Sequence, residues 1–516
     1  MDTADDMLPI EHFFRAAERW PERLAVKHGP REITYGELAR QVDALAAAMQ
    51  SIDPTPQSRV GICAHNTVEH LLGWLATFAA GKTWIPLNPR NGAEELNRVI
   101  AATGPSIVII DADCLEKAAP QGATRIIGKP DSYVGDDKTL ADLCHAFDGA
   151  RPVRHELSLD DVQAIKFTGG SSGQPKGCVQ TYRVWNTCIT SMLAAFEFED
   201  ADNRHLLAAP MTHGANTLIM PTFAVGGAQV FMGAARPAAI LEAFERDRIT
   251  TVFLPPTVIY MMLAEPGMES RDYSALRHVI VGGATIRRDV VPQAMKIFNN
   301  ALETCFGQTE APQIAICMRA ADWQDEKNFA STGRATALTR VEAMDSDGRI
   351  LNAGESGEIV LKGDLVMQGY LEMPEKTAET IIDGWLHTGD IGIIDDRGFV
   401  FIKDRIRDVI ITGGFNVYPS DVEAVLGRHP EVKECVVFGI PDMKWGEAVT
   451  AAVELHHGAT VTDQAIADFV KQQMDSVKAP KAVHIVDELP RSPVGKVLRR
   501  EAKARYIAAQ EEELSA

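Results

Sequence analysis

The segment Phe167-Thr168-Gly169-Gly170-Ser171-Ser172-Gly173-Gln174-Pro175-Lys176-Gly177 holds the densest set of residues able to do chemistry. Its four glycines, two serines and one threonine make a loop that can turn backbone N–H groups and hydroxyls toward an anion. Lys176 adds a positive charge, and the combination suits phosphate. Pro175 stands where a Walker A loop needs Gly, and Gly177 where it needs Ser or Thr, so that motif is excluded. The stretch Gly169–Gly173 also fits the G-x-S-x-G nucleophile elbow of hydrolases, with Ser171 as the attacking hydroxyl. An elbow needs a helix straight after its serine, and Gly173, Pro175 and Gly177 make a poor first turn. From this segment alone a phosphate cradle, an elbow and an ordinary flexible loop all stay open.

Such a loop needs rigid elements around it. Short apolar runs at Arg59–Ala64, Ser106–Ile110, Thr251–Leu254 and His278–Val281 read as strands. Between them lie helical stretches, among them Ala93–Ala102 with Asn91 as cap and Glu94 three residues on. That alternation predicts an α/β fold with a largely parallel sheet covered on both sides. Toward the C-terminus, Ser420-Asp421-Val422-Glu423 reads as a capping box opening a helix with Val422, Val425 and Leu426 inward. A strand over Cys435–Phe438 and a helix from Thr462, with Ile466, Phe469, Val470 and Met474 at helical spacing, complete a smaller unit. The charged run Lys403–Asp408 is either a solvated turn or the link between the large and small parts.

Composition narrows the partners. The chain has 516 residues, and its 51 basic against 71 acidic side chains give a net charge of −20. This disfavours nonspecific nucleic-acid or anionic-membrane binding, though not a local basic pocket. Eight scattered cysteines without a CxxC pair predict reduced thiols and a cytoplasmic protein, not a disulfide frame or a zinc site. The acidic start Met1–Asp6 is unlike a targeting peptide. Uncharged Gly214–Ala235 is long enough to cross a bilayer. Pro221, Gly226-Gly227 and Gln229 interrupt it, predicting a buried helix, a turn and a strand instead.

Further segments come in a set order: Pro210-Met211-Thr212-His213, Gly282-Gly283-Ala284, Phe306-Gly307-Gln308-Thr309-Glu310 and Gly354-Glu355-Ser356-Gly357-Glu358. Then come Trp385-Leu386-His387-Thr388-Gly389-Asp390, Asp404-Arg405 through Asn416-Val417-Tyr418-Pro419, and Pro490-Arg491-Ser492-Pro493-Val494-Gly495-Lys496. With Phe167–Gly177, and with Ile33-Thr34-Tyr35 and Pro86-Leu87-Asn88-Pro89 upstream, this series resembles the adenylate-forming superfamily. Acyl-CoA synthetases, peptide-synthetase adenylation domains and luciferases belong to it. Each motif is weak to moderate alone; their order over almost the whole chain is specific.

The resemblance implies a large N-terminal domain, 1–404, of mostly parallel sheets flanked by helices, and a small mobile α+β domain, 405–516. It implies ATP contacts from Thr168, Ser171, Ser172, Gly173 and Lys176 on the phosphates and from Gly282, Gly283, Ala284, Phe306, Gly307 and Thr309 around adenine. Asp390 would take the ribose hydroxyls and Arg405 would support ribose or phosphate. Mg²⁺ would sit on Glu310, with Thr168 as second ligand, hard oxygen donors for a hard cation. Lys496 would bridge the carboxylate and the α-phosphate as the catalytic lysine, with His213 near the carboxylate. Phe306 stands where the family has Tyr, so stacking survives and the phenol is lost; Gly169 replaces a hydroxyl residue. Arg407 is placed as the hinge, and Gly413, Gly414 and Phe415 as the CoA-facing loop. His213, Ala215, Ile219 and Ala311 would line the acyl site, and no obvious arginine among these segments could take a second carboxylate.

The expected activity is therefore an ATP-dependent carboxylate–CoA ligase. It would act on a medium or long fatty acid or an aryl acid through an acyl-adenylate, with Mg²⁺ as cofactor and ATP and CoA as co-substrates. Charge neutralisation and alignment supply most of the catalysis in such a reaction. The near alternative loads a separate carrier protein, since no carrier domain follows Lys496. A luciferase-like oxidase, a serine hydrolase using Ser171 and a nucleotide binder without turnover are the remaining rivals. No nucleic acid and no integral membrane segment are expected, and a homodimer stands as an option for assembly.

Overall fold

The computed structural model describes residues 7–515, apart from 119, 121, 132, 169–174, 199–201, 475 and 492–496. The chain divides into two compact units: residues 1–341 with 361–386, and residues 342–360 with 387–516. It is a mixed α/β protein with a large N-terminal and a smaller C-terminal part.

The first unit holds two sheets. One is seven-stranded, in the order Gly369–Tyr370, Lys176–Thr181, Val162–Thr168, Thr83–Leu87, Arg59–Cys63, Ile107–Ile110, Thr124–Ile127. From Val162–Thr168 onward all pairings are parallel. The first two pairings are antiparallel, so the mixed edge lies beside the phosphate-loop segment. Residues such as Ile107, Val108, Ile109 and Ile110 are all buried, as a parallel strand covered on both faces requires. The second sheet runs in parallel through Leu24–His28, Ala228–Phe231, Arg204–Leu206, Thr251–Leu254, His278–Val281 and Leu302–Phe306. It then continues antiparallel to Ile316–Met318 and Gly333–Ala335.

The second unit is built on a sheet of Phe415–Val417, Ile410–Thr412, Gly446–Leu455, Val432–Asp442 and Ala482–Val486. Strand alternation divides its apolar residues between two layers. Val437 packs with Val422, Leu426, Ile466 and Val470 under the helices Pro419–Leu426 and Asp463–Gln473. Its neighbours Val436 and Phe438 pack on the opposite side with Leu489, Ala502 and Tyr506.

Several local expectations need correcting. The helix Ala93–Thr103 begins after Gly92, not Asn91, and has no side-chain cap; the Asn91 N–H is held instead by the Asn88 carbonyl. Ser420 and Glu423 form no capping box. Pro419 takes the first helical position, the Ser420 hydroxyl donates to the Lys403 carbonyl, and Glu423 is engaged by Arg499. A tertiary partner outcompetes the local cap. Gly214–Ala235 contains a 3₁₀ turn Gly214–Leu218, a short helix Ile219–Ala224 and the strand Ala228–Phe231. Among the described residues no helix is long and apolar enough to cross a membrane. All eight cysteines are free.

Candidate active site

Thr168 ends one strand and Lys176 begins the next; the two are directly opposite in an antiparallel hairpin. The residues between them that carry the loop's chemistry (Ser171, Ser172 and Gly173, with Gly169 and Gly170) lie outside the described residues, as does Lys496. The loop leads into the strand Lys176–Thr181, not into a helix. The nucleophile elbow therefore lacks the element it depends on.

Beside this hairpin the next strand, Gly369–Tyr370, sets Tyr370 opposite Cys178. The Lys176 ammonium lies 4.7 Å from the centroid of the Tyr370 ring. The same phenol donates to Glu310 Oε1 at 2.7 Å. Desolvation, and then the Glu310 charge, raise the phenol's pKa, so it stays a donor. Two more bonds fix the Phe306–Glu310 segment. Gln180 Nε2 donates to the Thr309 carbonyl at 2.7 Å, and the Met367 N–H to the Glu310 carbonyl at 2.7 Å. Gln180 is itself oriented by Trp185 Nε1, 3.1 Å from its Oε1. Lys176 and Glu310 are thus joined by one tyrosine, and the Thr309–Glu310 segment is held by one glutamine; sequence reading missed both because their roles come from strand register.

The segments around His213 and Gly282–Ala284 meet at Phe253. An added Cβ would come within 2.6 Å of its ring at Gly214 and within 2.7 Å at Gly282. Real Cβ contacts are not that short, so glycine is required at both places. Gly282, Gly283 and Ala284 follow the strand His278–Val281, and Phe306 ends the adjacent strand Leu302–Phe306. Gly307 lies against the Gln313 backbone, and Gln313 Nε2 reaches Cys305 Sγ at 3.4 Å.

Asn66 clamps the approach to His213. It donates to the carbonyls of Leu207 at 3.0 Å and Ala209 at 2.7 Å, and accepts from the Met211 N–H at 2.9 Å. His213 Nδ1 shares a 2.9 Å hydrogen bond with the Thr212 hydroxyl. The residue is open to solvent on one side. Crowding by protein elsewhere, with the charges of Lys166 and Arg90, pushes its pKa down to about 4. Ala215, Ile219 and Ala311 are all buried. Lys166, on the same strand as Thr168, is another residue that sequence reading passed over. Burial pushes its ammonium down to about 8.

In the second unit, Asp390 and Arg405 are directly opposite on the strands Trp385–Ile394 and Phe399–Arg405. Arg405 Nε sits 2.7 Å from Asp390 Oδ1, and its Nη1 donates to the Thr388 carbonyl at 3.1 Å. Asp390 is 4 % exposed, and its N–H donates to the Thr388 hydroxyl at 3.0 Å. Arg407 is exposed in the 3₁₀ turn Ile406–Asp408. Around that turn Arg499 reaches Asp404 at 3.3 Å, Asp408 at 2.8 Å and Glu423 at 2.9 Å. Gly413 and Gly414 have φ of +57° and +84° and form the two-residue loop of a hairpin pairing Thr412 with Phe415. Two left-handed residues in sequence suit glycine. The turn joins strand to strand, and Phe415 is exposed.

An antiparallel hairpin bracketing a Gly- and Ser-rich segment, with a tethered glutamate beside it, fits a nucleotide-activating enzyme of α/β type. The chain belongs to the AMP-binding enzyme family: that family's profile matches residues 13–371, and the profile of the AMP-binding enzyme C-terminal domain matches residues 421–496. It is similar to a feruloyl-CoA synthase of Amycolatopsis, 34% identical with 95% of this chain and 98% of the relative covered. The medium/long-chain-fatty-acid–CoA ligase FadD8 of Mycobacterium tuberculosis is also 34% identical, over 93% of this chain and 86% of that protein. Among solved structures, ATP-bound MatB of Rhodopseudomonas palustris superposes with a TM-score of 0.87 at 29% identity, covering 97% and 99% of the two chains.

Proposed function

We propose that the protein is an acid–thiol ligase that converts a carboxylate, ATP and CoA to acyl-CoA, AMP and pyrophosphate through a bound acyl-adenylate. The observation that carries this reading is the Lys176–Tyr370–Glu310 cluster beside the loop between Thr168 and Lys176. It joins a cation suited to phosphate oxygens to a carboxylate suited to a divalent ion. Family membership and relatives named as CoA ligases support it.

In this reading Lys176, Ser171, Ser172 and Gly173 hold the ATP phosphates. Gly282–Ala284 and Phe306 enclose adenine, with Gly307 and Thr309 shaping that wall, and Asp390 with Arg405 takes the ribose. The oxygen-only set of Glu310 and Thr168 fits Mg²⁺ by donor chemistry. When bound, that ion neutralises phosphate charge. Tyr370 occupies one Glu310 oxygen and leaves the other for a ligand. His213, neutral at working pH, donates its ring N–H to the substrate carboxylate without adding charge. Lys496 offsets the charge that builds on the carboxylate and α-phosphate. Residues 405–516 then move about Arg407, and Gly413, Gly414 and Phe415 face the arriving thiol. The acyl site of Ala215, Ile219 and Ala311 favours a medium or long fatty acid or an aryl acid.

Exchange of labelled pyrophosphate into ATP, run over fatty, aryl and short acids, tests this. Exchange is expected with at least one class, and acyl-CoA forms when CoA is added. Lys496→Ala should lower exchange by about 10²–10³-fold while sparing thioester formation from supplied acyl-adenylate. No exchange with any acid ends the ligase reading.

A further inference from the structure

Among the described residues, Lys166 is a buried cation without a counter-ion. It stands directly opposite Cys178, which stands directly opposite Tyr370, so the three form one row across three strands. Adjacent strands are about 4.8 Å apart, and Thr168, two residues along, shares the face of Lys166. The row therefore joins Lys166 to the face that carries the tyrosine of the Glu310 cluster. The Lys166 ammonium lies 5.4 Å from the ring centroid of Trp84 and 5.6 Å from that of Trp185. The residue is only 9 % exposed. Among the described residues it has no hydrogen-bond or ion-pair partner, and the titratable groups that act on its charge are two thiols, Cys188 and Cys178.

Burying a lone ammonium is unfavourable, and ring faces offset only a part of that penalty. A methionine would fill the same space between two tryptophans without it. The ammonium is also linked to the proposed acyl site through Trp185. The helix Tyr182–Phe196, which carries Trp185, packs against the turn Gly214–Leu218 that carries Ala215. The Lys166 charge is also felt at His213.

We infer that Lys166 is a specificity-determining residue whose ammonium receives an oxygen on the acyl group, so the acid taken bears a second oxygen function besides the carboxylate that reacts. A ketone, phenol or second carboxylate supplies that acceptor. The inference rests on the ligase reading and narrows its substrate class from plain hydrocarbon acids to oxygenated ones. The cation comes from a sheet strand, outside the segments in which sequence reading looked for one.

The test uses matched acids: octanoate against 7-oxooctanoate and octanedioate, and 3-phenylpropanoate against 3-(4-hydroxyphenyl)propanoate. Wild-type kcat/KM for pyrophosphate exchange should be at least ~10-fold higher for an oxygenated member than for its hydrocarbon partner. Lys166→Met should remove that preference by lowering the oxygenated acid alone, and Lys166→Arg should retain part of it. An equal loss on both members, or no preference in the wild type, overturns the inference. A readout that needs neither a variant nor turnover is acetic anhydride labelling of wild-type Lys166, followed by mass spectrometry with AMP present. The preferred oxygenated acid should slow labelling several-fold and its hydrocarbon partner should not; equal effects count against the inference. Absence of exchange with every acid breaks the ligase reading, while the labelling comparison still decides the role of Lys166.

Discussion

Two segments that the sequence marks as functional are secured by opposite means. Phe306–Glu310 is held by uncharged donors: Gln180 and Tyr370 from the sheet beside it, and the Met367 N–H just before the strand Gly369–Tyr370. The turn Arg405–Asp408 is held by charge, with Arg499 facing Asp404, Asp408 and Glu423. The first arrangement fixes a carboxylate without neutralising it, so its charge stays available to a ligand. The second spends its charges on one another. A neutral clamp suits a group that must act, and an ionic clamp suits a segment that must hold its shape or let go as a unit.

The difference can be broken from either side. Arg499→Ala removes the cation from three carboxylates and should destabilise the second unit by about 3–5 kcal/mol, read as a lowered urea midpoint with faster hydrogen exchange over 399–426. Glu310→Gln should leave that midpoint unchanged yet lower pyrophosphate exchange by about 10²–10³-fold. A comparable loss of stability in the glutamine variant would erase the contrast. Tyr370→Phe removes a hydrogen bond to a charged acceptor, worth about 1.5–3 kcal/mol. It should appear as a ~10–100-fold lower exchange rate with a raised Mg²⁺ requirement, and as a urea midpoint lowered by less than in Arg499→Ala.

The smallest effect concerns pH. His213 is lowered to about 4 in the folded protein from 6.5. The neutral ring is thus favoured by folding, and its stabilisation is complete above about 6.5. That contribution is lost as pH falls through about 4. Exchange rates should therefore show no limb near 6.5 that His213→Gln abolishes; finding one would mean that the imidazole protonates in the working range.

Much of this was legible in the chain. The strands Thr251–Leu254 and His278–Val281 have the bounds their apolar runs predicted, and Thr462 caps its helix through the Ala465 N–H at 3.2 Å. These features are local, and local pattern reveals them. The cap at Asn91 misled because the helix begins one residue later, after Gly92, and the cap at Ser420 because its hydroxyl donates to a tertiary acceptor, the Lys403 carbonyl. Asn66, Gln180, Tyr370 and Lys166 were illegible for a related reason. Each matters through its neighbours across a sheet or beneath a loop, in Tyr370's case opposite a residue 192 positions earlier, Cys178. The division into 1–404 and 405–516 remains our proposal for the moving parts; the compact units instead group 387–404 with 405–516.

The Tyr370 phenol reaches beyond its own bond length. A carboxylate with one oxygen leashed by a donor that keeps its proton cannot spin its two oxygens past an incoming ion. In the proposed function the facing oxygen of Glu310 is chosen before the ion arrives, so that part of the ordering cost is met during folding and would not recur with each turnover.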